Sequence, residues 1–185
     1  RRTVLRAAAG AVGVAGVSGV VAGSQHDVDV GFSNETGDLG ERVPVSLDID
    51  PANNQTVEVG AYDIEFTYDE TVVSFIEMNG VDLADPTVTE PSPGRVAATV
   101  AGVSGTPVPL TAATVVFEID SGAADGDVAT VALDDTASEF TDPIDQVTFE
   151  SQDGSIEVVT SQADYQLSNL DPETATVFEG APPIE

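Results

Sequence analysis

The sequence has no lysine, no cysteine and no tryptophan, one histidine (His26) and one methionine (Met78). Without cysteine there is no disulfide framework and no thiol chemistry, so a packed core alone must hold the chain together. The lone His26 lies beside an expected processing site, where it is expected to be loosely held. That leaves a Ser/His/Asp or Cys/His arrangement without a base. With no tryptophan, three tyrosines and seven phenylalanines, there is little to shape a sugar cleft. Carboxylate pairs of the kind a glycosidase uses carry no information in a chain with 33 acids. No catalytic residue is assigned, no enzymatic activity is expected, and no cofactor is implied.

Positive charge is nearly as scarce. Arg1, Arg2 and Arg6 precede the first acid, Asp27, so Arg42 and Arg95 alone face all 33 acids, a formal charge of −31 for that stretch. Phosphate recognition needs clustered cations, which excludes nucleic acid as a partner. An anionic membrane surface is excluded for the same reason. The acids are spread along the chain instead of gathering at one place. Together with the missing lysine, this points to a solvated surface adapted to very high salt, where a Debye length of about 3 Å screens self-repulsion. A hydrophobic content of 41% and regular apolar alternation argue against disorder.

The opening stretch, "RRTVLRAAAGAVGVAGVSGVVAGSQ", places paired arginines before a weakly apolar, glycine-rich run and ends in small residues. Residues 1–25 are read as a twin-arginine-like export signal, which implies a secreted or cell-surface protein. The run from Ala7 to Gly23 is short and weak for a membrane span. No methionine precedes Arg1, so the true start is expected upstream. Residues 26–160 are read as one domain. Residues 161–185, which follow a polar junction, are read as a linker or the truncated start of a second β domain.

Within the domain, Val28, Val30 and Phe32 alternate, as do Val43, Val45, Leu47 and Ile49. Pro44 suggests an edge or a strand start. In "GAYDIEFTYDETVVSFIEM", Tyr62, Ile64, Phe66 and Tyr68 form one row and Asp63, Glu65 and Thr67 the other. Val57 and Val59 lie on the opposite parity, so a break or bulge is expected at Gly60–Ala61. Further on, Val96, Ala98 and Val100 face in while Arg95, Ala97 and Thr99 face out. Val115, Phe117 and Ile119 then face in, followed by "VATVALD", "QVTFE" and "GSIEVV". "ADPTVTEPSPG" and "VSGTPVPL" are read as loops, and Asp134 as part of a turn distant from the outward rows. No helical period occurs after residue 25. Short alternating strands between turn signals predict an all-β sandwich or barrel.

"DSGAADGD" fails the calcium-loop pattern at Gly122 and Ala124, and no metal site is expected. Asn34 and Asn54 head N-glycosylation sequons in predicted loops.

The order of "VPVSLDID", "AYDIEFTYDETVVSF", "RVAATVAGVSG", "TAATVVFEID" and "ATVALDD…QVTFESQDGSIEV" resembles a cohesin domain over roughly residues 28–159. The resemblance rests on a V-P-V-x-L strand, on Tyr68-Asp69 followed by Val72-Val73, on Ala113-Thr114-Val115-Val116-Phe117, and on Asp153-Gly154 before Ile156–Val158. It implies a nine-stranded antiparallel β-sandwich of jelly-roll topology. The implied partner is a dockerin, a small calcium-loaded helical module. The implied partner-binding residues are Asp63, Glu65, Thr67, Arg95, Ala97 and Thr99, with Asp63 at a position that often bonds the dockerin helix. The family often places an acid at the end of the second of these strands, where this sequence departs with Gly102. Two alternatives stand beside this reading: a carbohydrate-binding module of the same architecture, which would add a polysaccharide as ligand, and a ligand-free surface structural domain.

Overall fold

The computed structural model describes residues 26–52, 56–102 and 104–160. The expected export signal at 1–25, the sequon residue Asn54 and the segment 161–185 lie outside the described residues. All regular structure among the described residues is β, in fifteen segments. These are β1 Val28–Phe32, β2 Asn34–Gly37, β3 Arg42–Pro51, β4 Glu58–Val59, β5 Ala61–Tyr68, β6 Val73–Gly80, β7 Thr87–Ser92, β8 Arg95–Val100, β9 Thr106–Pro107, β10 Leu110–Ile119, β11 Val128–Leu133, β12 Glu139–Thr141, β13 Gln146–Val147, β14 Phe149–Gln152 and β15 Gly154–Val158.

The first sheet runs β14–β1–β3–β10–β6. The second is centred on β5. One edge of β5 carries β8 and then β7, and its other edge carries β11 and β12 end to end, with β15 and β2 beyond β11 and β13 beyond β12. β4 and β9 form a separate short pair.

Fifteen segments stand where nine strands were expected, and two of the breaks fall where the chain passes between layers. Ser33 divides β1 from β2, and Asp153 divides β14 from β15. At each break the first piece stays in the first sheet and the second piece joins the other. Ser33 steadies its crossing by donating its amide to the Ser46 carbonyl (2.9 Å) and accepting the Ser46 amide on its Oγ (2.9 Å). The two crossings lie against one another. A Cβ on Gly154 would stand 2.5 Å from the Ser33 carbonyl oxygen and 2.6 Å from the Phe32 Cβ, so only glycine fits there. The sandwich is therefore not wholly antiparallel: β1 pairs with β14, and β2 with β15, in parallel. These segments come from opposite ends of the domain, and no hairpin forces them to run in opposite senses.

The inward rows read from the sequence form the core. Val28, Val30, Val45, Leu47, Ile49, Ile64, Phe66, Val96, Ala98, Val115, Phe117 and Ile119 are buried. Phe66 packs its ring on Phe32 (centroids 5.3 Å apart), while Phe117 meets Tyr68 (5.3 Å) and Phe75 (6.2 Å). The expected break falls at Gly60, between β4 and β5. Pro44 sits where β3 has β10 as its only ladder neighbour, because pairing with β1 begins at Leu47. In β6 the alternation stops at Ile76. The partners of Val116 and Phe117 are Glu77 and Phe75, so Ile76 bulges out unopposed.

Four strands are missing from the sequence reading: β2, which holds the sequon residue Asn34 expected in a loop, and β7, β9 and β12. β7 lies inside the predicted loop "ADPTVTEPSPG", and β9 inside "VSGTPVPL". β7 is an edge strand whose residues are nearly all exposed, so it has no apolar alternation to betray it, and an edge tolerates its Pro91. β12 buries only Phe140 within three residues.

Candidate partner-binding face

Register brings the six predicted residues together. Across the β5–β8 ladder, Asp63 stands opposite Thr99, Glu65 opposite Ala97 and Thr67 opposite Arg95. Because cross-strand partners share a face, these side chains form one outward strip. The strip widens on both sides. Thr87 and Thr89 of β7 lie opposite Thr99 and Ala97, Glu139 of β12 lies opposite Asp63, and Ala132 of β11 lies opposite Thr67. Sequence reasoning missed Thr87, Thr89 and Glu139, because their strands carry no readable period.

Arg95 is held in place at one end of the strip. Its Nε donates to Glu65 Oε2 at 2.7 Å, a terminal guanidinium nitrogen donates to the same oxygen, and that nitrogen also donates to Asp134 Oδ2 at 3.0 Å. Asp134 is thus part of this face, which corrects the sequence reading that set it at a distance. Its amide donates to the Glu65 carbonyl at 2.8 Å, drawing the turn after β11 against β5. The Asp134 carboxyl is held below the usual carboxylate range first by the Thr136 hydroxyl (2.7 Å), then by the Thr136 amide (3.1 Å), with the Arg95 charge contributing less. The guanidinium is shifted towards holding its proton more firmly, chiefly by Glu65. As a solvated pair this cluster adds little to stability. Its effect is geometric: it fixes the single cation of the strip and occupies Glu65.

Asp63 differs. It is exposed and accepts the Thr99 hydroxyl at 3.0 Å. With Glu139 opposite, two carboxylates flank a shallow groove of about 240 Å³ lined also by Ala61, Thr99, Ala101 and Thr141. Like charges directly opposed are unfavourable in a sheet, and this end of the strip presents two carboxylates that can accept hydrogen bonds. Gly102, past the end of β8, where the resemblance led to the expectation of an acid, has a structural reason to carry no side chain. A Cβ there would stand 1.7 Å from the Gly60 carbonyl oxygen, inside any contact distance.

The tyrosines of β5 support the face from behind. Tyr68 is nearly buried, and its hydroxyl donates to Glu90 of β7 at 2.7 Å, tying the edge strand to the core. Burial, then the bond to Glu90, raises its pKa. The Tyr62 hydroxyl is buried with no hydrogen-bond partner among the described residues, and burial pushes its pKa up. Neither ring is presented to solvent.

The sequon residue Asn34 opens β2 instead of lying in a loop, and its Oδ1 accepts the Ser155 hydroxyl at 2.8 Å.

No family model matches the chain, and no curated protein matches it. Solved structures do. CaCohA2 from Clostridium acetobutylicum superposes with a TM-score of 0.64 at 20% identity, covering 74% of this chain and 93% of that one. The sixth cohesin from the scaffoldin B of Acetivibrio cellulolyticus, solved in complex with a dockerin, gives 0.62 at 19% identity, covering 71% and 98%. A non-cellulosomal cohesin from the hyperthermophilic archaeon Archaeoglobus fulgidus gives 0.60 at 13% identity, covering 74% and 94%. The chain has the cohesin fold. The matched structures are spanned almost end to end, so the fold is present as a whole domain.

Proposed function

We propose that this chain is a non-catalytic docking module that captures a calcium-loaded dockerin-type partner on the outer strip of β5, β8 and β7. It would act as a secreted or cell-surface scaffolding or adhesion component adapted to high salt. The observation that carries the reading is the register of β5 against β8, which sets Asp63 beside Thr99 on the outward strip of a cohesin fold. Asp63 and Glu139 supply acceptors for a partner helix, Thr99, Thr87 and Thr89 supply small polar contacts, and the clamped Arg95 limits which side chains fit at the far end. Recognition by ring stacking on a sugar is disfavoured, because no aromatic ring among the described residues is exposed.

A pull-down at high salt against dockerin-type modules tests the reading. Retention is expected with calcium and is abolished by a calcium-selective chelator, which unfolds the partner while this domain keeps its circular dichroism. Asp63→Ala and Thr99→Arg each weaken retention. Retention on cellulose or chitin that survives both the chelator and Asp63→Ala would replace this reading with a carbohydrate-binding one. No retention on any of these would leave a structural domain.

A further inference from the structure

His26 is not loosely held. Its side chain is only 13% exposed, its Nε2 lies 2.6 Å from Asp29 Oδ1, and its Nδ1 lies 3.4 Å from Glu150 Oε2. One nitrogen and two carboxylate oxygens from these three side chains all fall within 4.8 Å of one another. They come from opposite ends of the domain: His26 and Asp29 from the entry to β1, Glu150 from β14. The parallel pairing sets Asp29 and Glu150 side by side.

The surroundings are rich in negative charge. Asp29 faces Glu150 on one neighbouring strand and Asp50 on the other, so three carboxylates stand in a row across β14, β1 and β3. Asp48 lies one pair further along, opposite Gly31. Beside the row is a cavity of about 170 Å³ lined by Asp29, Gly31, Asp48, Asp50 and Gln152, where Gly31 contributes no side chain. Directly opposed like charges are unfavourable. The two described arginines do not relieve them: Arg42 pairs with Glu118 (3.3 Å) and Arg95 with Glu65 and Asp134.

We infer that His26, Asp29 and Glu150 form a binding site for a first-row divalent transition ion, with zinc as the working example, that clasps the first strand of the domain to β14. Metal–nitrogen and metal–oxygen bonds of about 2.0–2.2 Å place ligand atoms roughly 3–4 Å apart. The three ligand atoms here lie within 4.8 Å of one another, with Asp29 and Glu150 against different ring nitrogens, so binding would draw both carboxylates towards one nitrogen of His26. One imidazole with two carboxylates suits zinc or its neighbours, whereas calcium prefers a shell of oxygens alone. The ion would neutralise the acid row, and water in the adjoining cavity would complete its coordination.

The full-length chain is titrated with zinc chloride in molar potassium chloride, which suppresses diffuse attraction to the acidic surface. Calorimetry is expected to show one zinc per chain, with affinity falling at least tenfold in both His26→Ala and Glu150→Gln. Zinc should raise the melting temperature of the parent chain and leave that of His26→Ala unchanged. Because His26 is the only histidine, its ring protons are a single NMR reporter, and they should shift on adding zinc but not calcium. Asp63→Ala, on the other face, should bind zinc as the parent does. The inference is overturned if zinc does not bind, if His26→Ala binds it equally well, or if the ring signals stay in place.

Discussion

On the outer side of the first sheet, Glu150, Asp29 and Asp50 stand abreast on three strands. On the outer side of the second sheet, Asp63 and Glu65 stand opposite Thr99 and Ala97, with Arg95 bound to Glu65 and Asp134. Both faces arise from the same alternation over the same core, and both are acidic. One sets acid against acid. The other sets its β5 acids against hydroxyl, methyl and guanidinium groups on β8, and confines its opposed carboxylates to Asp63 and Glu139 at the groove. The excess of acid in the composition therefore does not mean one thing everywhere. On the second sheet it is organised into a strip with defined donors and acceptors, and on the first it is concentrated beside the one histidine.

The largest effect should come from beneath both faces. Phe66 is fully buried against Phe32, and Phe66→Ala should cost about 3–5 kcal/mol in denaturant unfolding. A loss under about 1 kcal/mol would place Phe66 at the surface and exchange the two sides of β5. The next test separates the faces by function. Asp63→Ala should reduce partner affinity by about 2 kcal/mol or more, as for a charge buried at an interface. Asp50→Ala should leave affinity unchanged, and equal losses from the two would show that the two faces do not differ in binding.

A smaller effect should separate them by electrostatics. Transfer from molar salt to dilute buffer should destabilise the domain, because unscreened acids repel. In dilute buffer Asp50→Asn should recover about 0.2–1 kcal/mol by relieving a directly opposed pair. Glu65→Gln should recover none, since Glu65 already holds Arg95. A domain equally stable at both extremes of salt would show that neither face carries net repulsion.

The smallest concerns acid. The Asp134 carboxyl is depressed in the folded state, so its contribution is present above the ordinary carboxylate value of about 3.9 and is lost as pH falls through the folded value. The stability gap between the parent and Asp134→Asn should therefore be widest near neutral pH and should close on acidification below that value. A gap that persists at low pH would assign the effect of Asp134 to something other than its charge.

Much of this was legible because it is local. Alternation with a period of two assigns each side chain to the core or the outside without knowledge of any partner strand, so the rows Tyr62–Tyr68, Val96–Val100 and Val115–Ile119 could be sorted by eye. The change of parity at Gly60 was readable for the same reason. Asp63 and Arg95 could be placed on one strip because a cohesin-like order of strands implied that β5 and β8 are neighbours.

What escaped the sequence depends on contacts between distant segments. β7 is a strand only because β8 offers it a ladder, and its own residues bury almost nothing. Asp134 reaches Arg95 because β11 pairs with β5 across 66 residues of chain, from Leu133 back to Phe66, a span on which no periodicity bears. The parallel closure of β1–β2 against β14–β15 is likewise decided by the close approach at Gly154, and it alone brings Glu150 to His26. The sequence by itself determined which residues face inward, since that follows from the geometry of one strand. Which outward residues meet, and hence where the acids are paired, clamped or left opposed, was decided by tertiary structure, because register and strand order are properties of the assembled sheets.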